Sequence, residues 1–196
     1  MPATFGEYQS KIILASFLGG FDEKQCLEHF DGGAFEKMGY FSAYEESLEE
    51  LARRSAEVDV PFLAEFKDLL LGYPCMLTFN HPTSNVLIDY ARKLAQVVSA
   101  KTGTVMADFP VSPYNLPNFL SEGLIWPIYP ALAAKHLAGK YGSLWFRCDL
   151  KEGHPRMIHV KDLIAREFKV YAQMDRAKIE KTPQFPAIAK VLNAIT

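Results

Sequence analysis

At 196 residues, with 49% hydrophobic and 22% charged side chains, the chain has the size and composition of one globular domain with a sizeable core. A formal net charge of −2 provides no positive field for nucleic acid or an anionic membrane, and no apolar run is long enough to span a bilayer. Cys26, Cys75 and Cys148 lie far apart with no CxxC spacing, which argues for reduced thiols in a cytoplasmic setting and against a disulfide framework or a zinc cage.

The N-terminus lacks a basic start followed by an apolar core, so no signal peptide is expected. From Tyr8 onward, Ile12, Ile13, Phe17 and Leu18 recur at helical spacing until Gly19-Gly20 ends the run. A shorter helix is predicted from Asp22 to Phe30, with Gly32-Gly33 as its terminating turn. Ser42-Ala-Tyr-Glu45 has the form of a capping box, and the helix behind it turns Tyr44, Leu48, Leu51 and Ala52 inward. Val60–Leu71 predicts a further helix with Pro61 in its first turn.

Met76-Leu77-Thr78-Phe79 predicts a short buried strand. A long amphipathic helix follows, with Val86, Leu87, Tyr90, Ala91, Leu94, Val97 and Val98 as its apolar stripe. Pro110, Pro113, Pro117, Pro127 and Pro130 mark the stretch from Asp108 to Pro130 as an irregular, ordered loop. Helices are then predicted near Ala131–Tyr141, Lys161–Met174 and Pro186–Ile195, with a short strand at Ser143–Phe146. The sum is a helix-dominated α/β fold, a single domain over residues 1–196 with a few short strands and no internal repeat.

The chain carries no phosphate loop, no dinucleotide-binding glycine motif, no nucleophile elbow and no HExxH helix. His154 and His159 lie five apart in a segment that reads as a loop, without nearby carboxylates, so no metal site is expected. His29 and His136 fall in helical patterns and read as packing residues. What remains is Asn80-His81-Pro82-Thr83-Ser84, at the junction between the predicted strand and the long helix. Asn, Thr and Ser favour helix starts and Pro suits the first helical position, so a purely structural cap accounts for these residues. A site accounts for them too. The His81 imidazole can exchange a proton near neutrality, and Asn80 can face a developing oxyanion. The helix start at Thr83 and Ser84 offers N–H groups to a phosphate or carboxylate.

Four words in order, Gly6-Glu-Tyr8-Gln-Ser10, Phe30, Gly39-Tyr40-Phe41 and Phe79-Asn80-His81-Pro82-Thr83, resemble the WcbI-type capsular polysaccharide biosynthesis proteins over roughly Phe5 to Gly103. The resemblance implies a helix-rich α/β domain that binds coenzyme A or acetyl-CoA and assists O-acetylation of a capsule sugar. It is to the later two-thirds of the family domain, since the family's Gly-Asn-Cys-Gln turn does not precede Phe5 and Gln9 stands where a His is usual. One expectation is therefore an acyltransferase acting on a saccharide hydroxyl, with His81 as base, Asn80 stabilising charge, and Tyr8 and Ser10 lining the pocket. The other is a non-catalytic ligand-binding domain or partner subunit that has lost the nucleophile turn. Coenzyme A carries phosphates, which makes Arg53, Arg54, Arg92 and Lys93 candidate contacts, although solvated helix faces also account for them.

Overall fold

The computed structural model describes residues 8–106, 111–112, 115–116, 119–121, 123–151 and 154–196. In chain order the elements are α1 (Lys11–Leu18), α2 (Glu23–Glu28), α3 (Gly32–Lys37), α4 (Tyr40–Ser55), α5 (Leu63–Gly72) and α6 (Ser84–Thr102). A 3-10 turn at Phe119–Ser121 comes next, then α7 (Pro130–His136), β1 (Trp145–Lys151), β2 (His154–His159), α8 (Val160–Tyr171), α9 (Arg176–Glu180) and α10 (Phe185–Ile195). Helices dominate, as the sequence periodicity predicts. Backbone contacts group the chain into two compact units, one holding the described residues up to Ser42 and those from Pro127 to Thr196, the other Ala43–Trp126.

The first unit is built on α1. Ile12, Ile13, Leu14, Ala15, Ser16 and Leu18 are all buried, so this helix is enclosed on nearly every side, against α2, α8 and α10. Phe17 reaches Phe168 and Tyr171 of α8, with ring centroids 5.5 and 5.6 Å away. A second ring cluster joins Phe30, Phe35, Tyr40, Tyr129 and Phe146, each pair in an edge-on, tilted or stacked arrangement. β1 and β2 form an antiparallel pair in which Phe146 faces Ile158 on the buried side and Arg147 faces Met157 on the other. Gly142 is required by close approach: a Cβ there would lie 2.9 Å from Pro130 Cα, at the turn where Ser143 N–H donates to the Ile128 carbonyl.

Several sequence expectations are corrected. Gly32 and Gly33 do not end α2; they open α3, because the Asp31 carboxylate accepts the Ala34 N–H at 2.7 Å and caps a new helix. The capping box is not at Ser42–Glu45. α4 starts earlier, directly after Gly39 (φ 75°) and with Tyr40 stacked on Phe35, so the Ser42 hydroxyl donates back to the Gly39 carbonyl. A true capping box sits at Asp22 and Gln25 instead. α5 begins at Leu63, leaving Pro61 ahead of it. The segment carrying His154 and His159 is strand β2, paired with β1, where a loop was expected. The predicted strand at Met76–Phe79 is reduced to a single bridge, Met76 to Pro82. Its partner is only six residues on and Pro82 has no N–H to give, so the ladder cannot extend. The expectations for Gly6, Glu7, Asp108, Pro110, Pro113 and Pro117 lie outside the described residues.

One titratable group is built into the first unit. The half-buried His29 shares a hydrogen bond with the wholly buried Ser16 hydroxyl, Oγ to Nδ1 2.9 Å, and meets the Phe21 ring edge-on at 4.8 Å. Burial lowers its pKa below the ordinary 6.5, with Asp31 and Glu28 opposing. The unfolded chain therefore takes up this proton more readily, and His29 contributes stability that is present above pH 6.5 and lost as pH falls through the depressed value. A series of melting temperatures from pH 7.5 downward is expected to fall less steeply for His29→Gln than for the native chain; parallel curves would contradict this.

Candidate functional site

The Asn80–Ser84 segment lies in the second unit, on a tight reversal of the chain. Leu77 N–H donates to the His81 carbonyl at 2.7 Å and Thr83 N–H to the Cys75 carbonyl at 2.9 Å, flanking the Met76–Pro82 bridge. Trp126 N–H donates to the Leu77 carbonyl at 2.8 Å and anchors the reversal from outside. Cys75, Leu77 and Thr78 are buried, whereas Phe79 at the tip is 82% exposed and Asn80 is exposed beside it. The bends in the backbone thus turn two consecutive residues outward after a buried pair.

The buried Thr78 hydroxyl donates to Asn80 Oδ1 at 2.9 Å. That bond holds the Asn80 side-chain carbonyl oxygen and so fixes the orientation of its amide plane. His81 is half-buried and its imidazole makes no hydrogen bond among the described residues. Thr83 is the N-cap of α6 but makes no side-chain cap bond, and its buried Oγ1 has no partner among the described residues. The first turn of α6 also holds no acidic side chain. An uncapped helix start leaves N–H groups and the positive end of the helix dipole available next to the imidazole. Thr78 was not singled out from sequence; its only signal is a hydroxyl two residues before the Asn.

Tyr8 and Ser10 lie in the first unit. Ser10 is buried and caps α1, its hydroxyl accepting from the Ile13 N–H, and Tyr8 is half-buried. The candidate phosphate-binding cations all have carboxylate partners. Arg53 holds Glu50 through Nε and Nη2 and Glu57 through Nη1, and Arg54 Nε donates at 2.7 Å to the same Glu50 oxygen, Oε1, that Arg53 Nη2 holds. Those two guanidinium groups hold the Glu50 carboxyl down at about 2. Arg92 pairs with Asp89 at 2.9 Å and reaches the Val111 carbonyl, while Lys93 pairs with Glu65. Among the described residues no group of three or more His, Cys, Asp or Glu could hold a metal ion, and the His159 Nδ1 accepts the Lys161 N–H as the cap of α8.

The second unit also contains a cavity of about 470 Å³ walled by α4, α5, α6 and Met76. Its lining includes Leu51, Val60, Phe62, Phe66 and Tyr90, residues that sequence reading had assigned only to helix stripes or passed over. Their signal is weak, because an apolar side chain facing a cavity has the same spacing as one facing a core.

The family described as "Polysaccharide biosynthesis enzyme WcbI" matches residues 1–102. The chain belongs to the WcbI family. No curated protein and no solved structure gives a match. The WcbI match ends at the last residue of α6 and takes in the Asn80–His81 turn and the whole cavity lining. Membership assigns the protein a role in polysaccharide biosynthesis. Among the described residues, no helix is long and apolar enough to cross a membrane.

The two buried thiols are not activated. Burial pushes Cys26 and Cys75 up to about 11, although Cys75 stands only five residues before Asn80. At pH 8 roughly one in a thousand would be thiolate. A thiol-reactive probe is expected to label only the half-exposed Cys148 in the folded protein and all three cysteines after unfolding. Fast native labelling at Cys75 would restore it as a candidate nucleophile.

Proposed function

We propose that this WcbI-family protein binds coenzyme A thioesters and transfers the acyl group to a saccharide hydroxyl. The observation that carries the proposal is the Asn80 amide, oriented by the Thr78 hydroxyl, beside a His81 imidazole that has no hydrogen bond among the described residues, at a start of α6 without a side-chain cap. A sugar hydroxyl attacks the thioester carbonyl while His81 removes its proton. The carbonyl oxygen becomes an oxyanion, which accepts a hydrogen bond from the Asn80 NH₂. The tetrahedral adduct collapses, the C–S bond breaks, the acyl group stays on the sugar oxygen, and the proton passes from His81 to the departing thiolate. Each group has a distinct task, and neither a nucleophilic thiol nor a metal is required for this order of events.

Phosphate recognition is assigned to the start of α6. Arg53, Arg92 and Lys93 are already neutralised by Glu50, Glu57, Asp89 and Glu65, and Arg54 shares Glu50 with Arg53 through Nε alone, whereas the N–H groups behind Thr83 and Ser84 are uncapped by any side chain. An Arg would have to exchange its carboxylate for a phosphate, which gains little at an exposed site.

Coenzyme A or acetyl-CoA at about 100 times its dissociation constant should raise stability by roughly 2.7 kcal/mol, a shift of several degrees in a thermal melt. No shift at millimolar ligand would remove the basis for the proposal. His81→Ala should lower transfer by about 10²-fold or more with little change in melting temperature. Asn80→Ala should cost about 10²–10³-fold, as expected for loss of a fixed oxyanion donor. If the two residues only shape the helix start, the substitutions will instead cost stability and leave ligand binding intact.

A further inference from the structure

The cavity of about 470 Å³ in the second unit has the volume of a small-molecule site and sits beside the proposed reaction centre. Met76 is both a wall of the cavity and the bridge partner of Pro82, the residue immediately after His81. The walls are chiefly apolar: Leu51 from α4, Val60 and Phe62 from the connection to α5, Phe66 from α5, and Tyr90 from α6, its ring edge-on to Phe62 at 5.3 Å. The Ser47 hydroxyl, also on the lining, is committed to the Ala43 carbonyl at 2.6 Å and offers its proton to no ligand. The polar side-chain groups left are the Tyr90 hydroxyl, Ser55 and Arg54, the last two in the final turn of α4, and Arg54 is the one cation of the lining. Among the described residues Arg54 is bonded through Nε alone, to a Glu50 that Arg53 also holds, which leaves its terminal nitrogens for an anionic head.

A polar saccharide would leave most of its hydroxyls facing hydrocarbon here, at a desolvation cost the lining cannot offset. A flexible apolar chain with one anionic end matches both the walls and the single cation. We propose that this cavity holds an acyl chain longer than acetyl, carried as a coenzyme A thioester or as the free fatty acid. For the thioester the inference rests on the function proposed above, and it then deepens that function: the group transferred is a medium-length acyl group, with its chain in the cavity and its carbonyl at the Asn80–His81 turn. The free acid would need only the cavity and Arg54.

Calorimetric titration of the full chain with coenzyme A, acetyl-CoA, octanoyl-CoA and octanoate tests the inference. Each buried methylene is worth several-fold in affinity, so octanoyl-CoA should bind at least about ten-fold more tightly than acetyl-CoA. Leu51→Trp, which fills the cavity from α4, should erase that gain and leave the affinity for coenzyme A itself unchanged. Should this variant fail to fold, Ser47→Trp, at an exposed position on the same wall, does the same work. Equal affinities for all three coenzyme A ligands would overturn the acyl-chain cavity and leave thioester binding standing. Binding of octanoate without binding of any coenzyme A ligand would keep the cavity assignment and remove the coenzyme A reading. Binding of neither octanoate nor octanoyl-CoA would overturn the inference. An equal loss of coenzyme A and octanoyl-CoA affinity in the Trp variant would overturn it too, since the cavity would then hold the pantetheine arm.

Discussion

The short backbone ladder that ties Cys75–Leu77 to His81–Thr83 is the constraint on which the functional part of the second unit depends. Buried N–H and C=O groups need partners, and here the pairing residues are so close in sequence that the chain must reverse within Thr78–Asn80. Alternation along the extended segment sends Cys75 and Leu77 into the interior and leaves Met76 on the cavity wall. Pro82 then stops the ladder, because it has no N–H, and its restricted φ leads the chain into α6. The same few hydrogen bonds therefore fix the exposure of Asn80, the position of His81 and one wall of the cavity. A change that broke the ladder would disturb all three together.

Charge is distributed so that side chains neutralise one another and the backbone is left to attract anions. On α4 and just past its end, Glu50 and Glu57 satisfy Arg53, and Glu50 is shared with Arg54. Between α5 and α6, Lys93 meets Glu65, and within α6 Arg92 meets Asp89. These exposed pairs contribute little to stability, but those of Arg53, Arg92 and Lys93 each remove a cation from the set available to a phosphate. The start of α6, with no side-chain cap and no acid in its first turn, stands out by contrast. Its partial positive charge is fixed by the backbone and loses no side-chain entropy when a ligand arrives.

The first unit shows how a pairing that resembles chemistry can be structural. Ser16 and His29 are within hydrogen-bond distance, but the serine is wholly enclosed on α1 and the burial of His29 disfavours its charged form. A buried hydroxyl needs a hydrogen-bond partner, and the imidazole supplies one where α2 packs on α1. Access separates this pair from His81, whose turn faces outward. Sequence distance gives no hint of the pairing, because thirteen residues and a helix boundary lie between the two.

Local patterning in the sequence was sufficient to determine the helix-dominated fold, the stripe of α1, the existence of α6, α8 and α10, the Gly19 stop and the four words that carry the WcbI resemblance, whereas the stripe expected on α6 is buried only at Val86, with Leu87, Tyr90, Leu94 and Val98 exposed. Such features depend on residues three or four apart, which a single chain displays directly. The errors fell where a partner outside the helical spacing decides the local state. Tyr40 stacking on Phe35 moved the start of α4, and pairing with β1 made a strand of the segment that carries His154 and His159. A neighbour without an N–H reduced the expected Met76–Phe79 strand to one bridge. The candidate site divides in the same way. The sequence supplied the imidazole, the carboxamide and the helix start as residue types in order. The Thr78–Asn80 bond and the arginine–carboxylate pairs join residues two to four apart and were local, with side-chain geometry deciding which of the available partners is taken, whereas only the tertiary structure decided that a cavity opens beside Met76, because empty space is set by packing among residues that the sequence keeps apart.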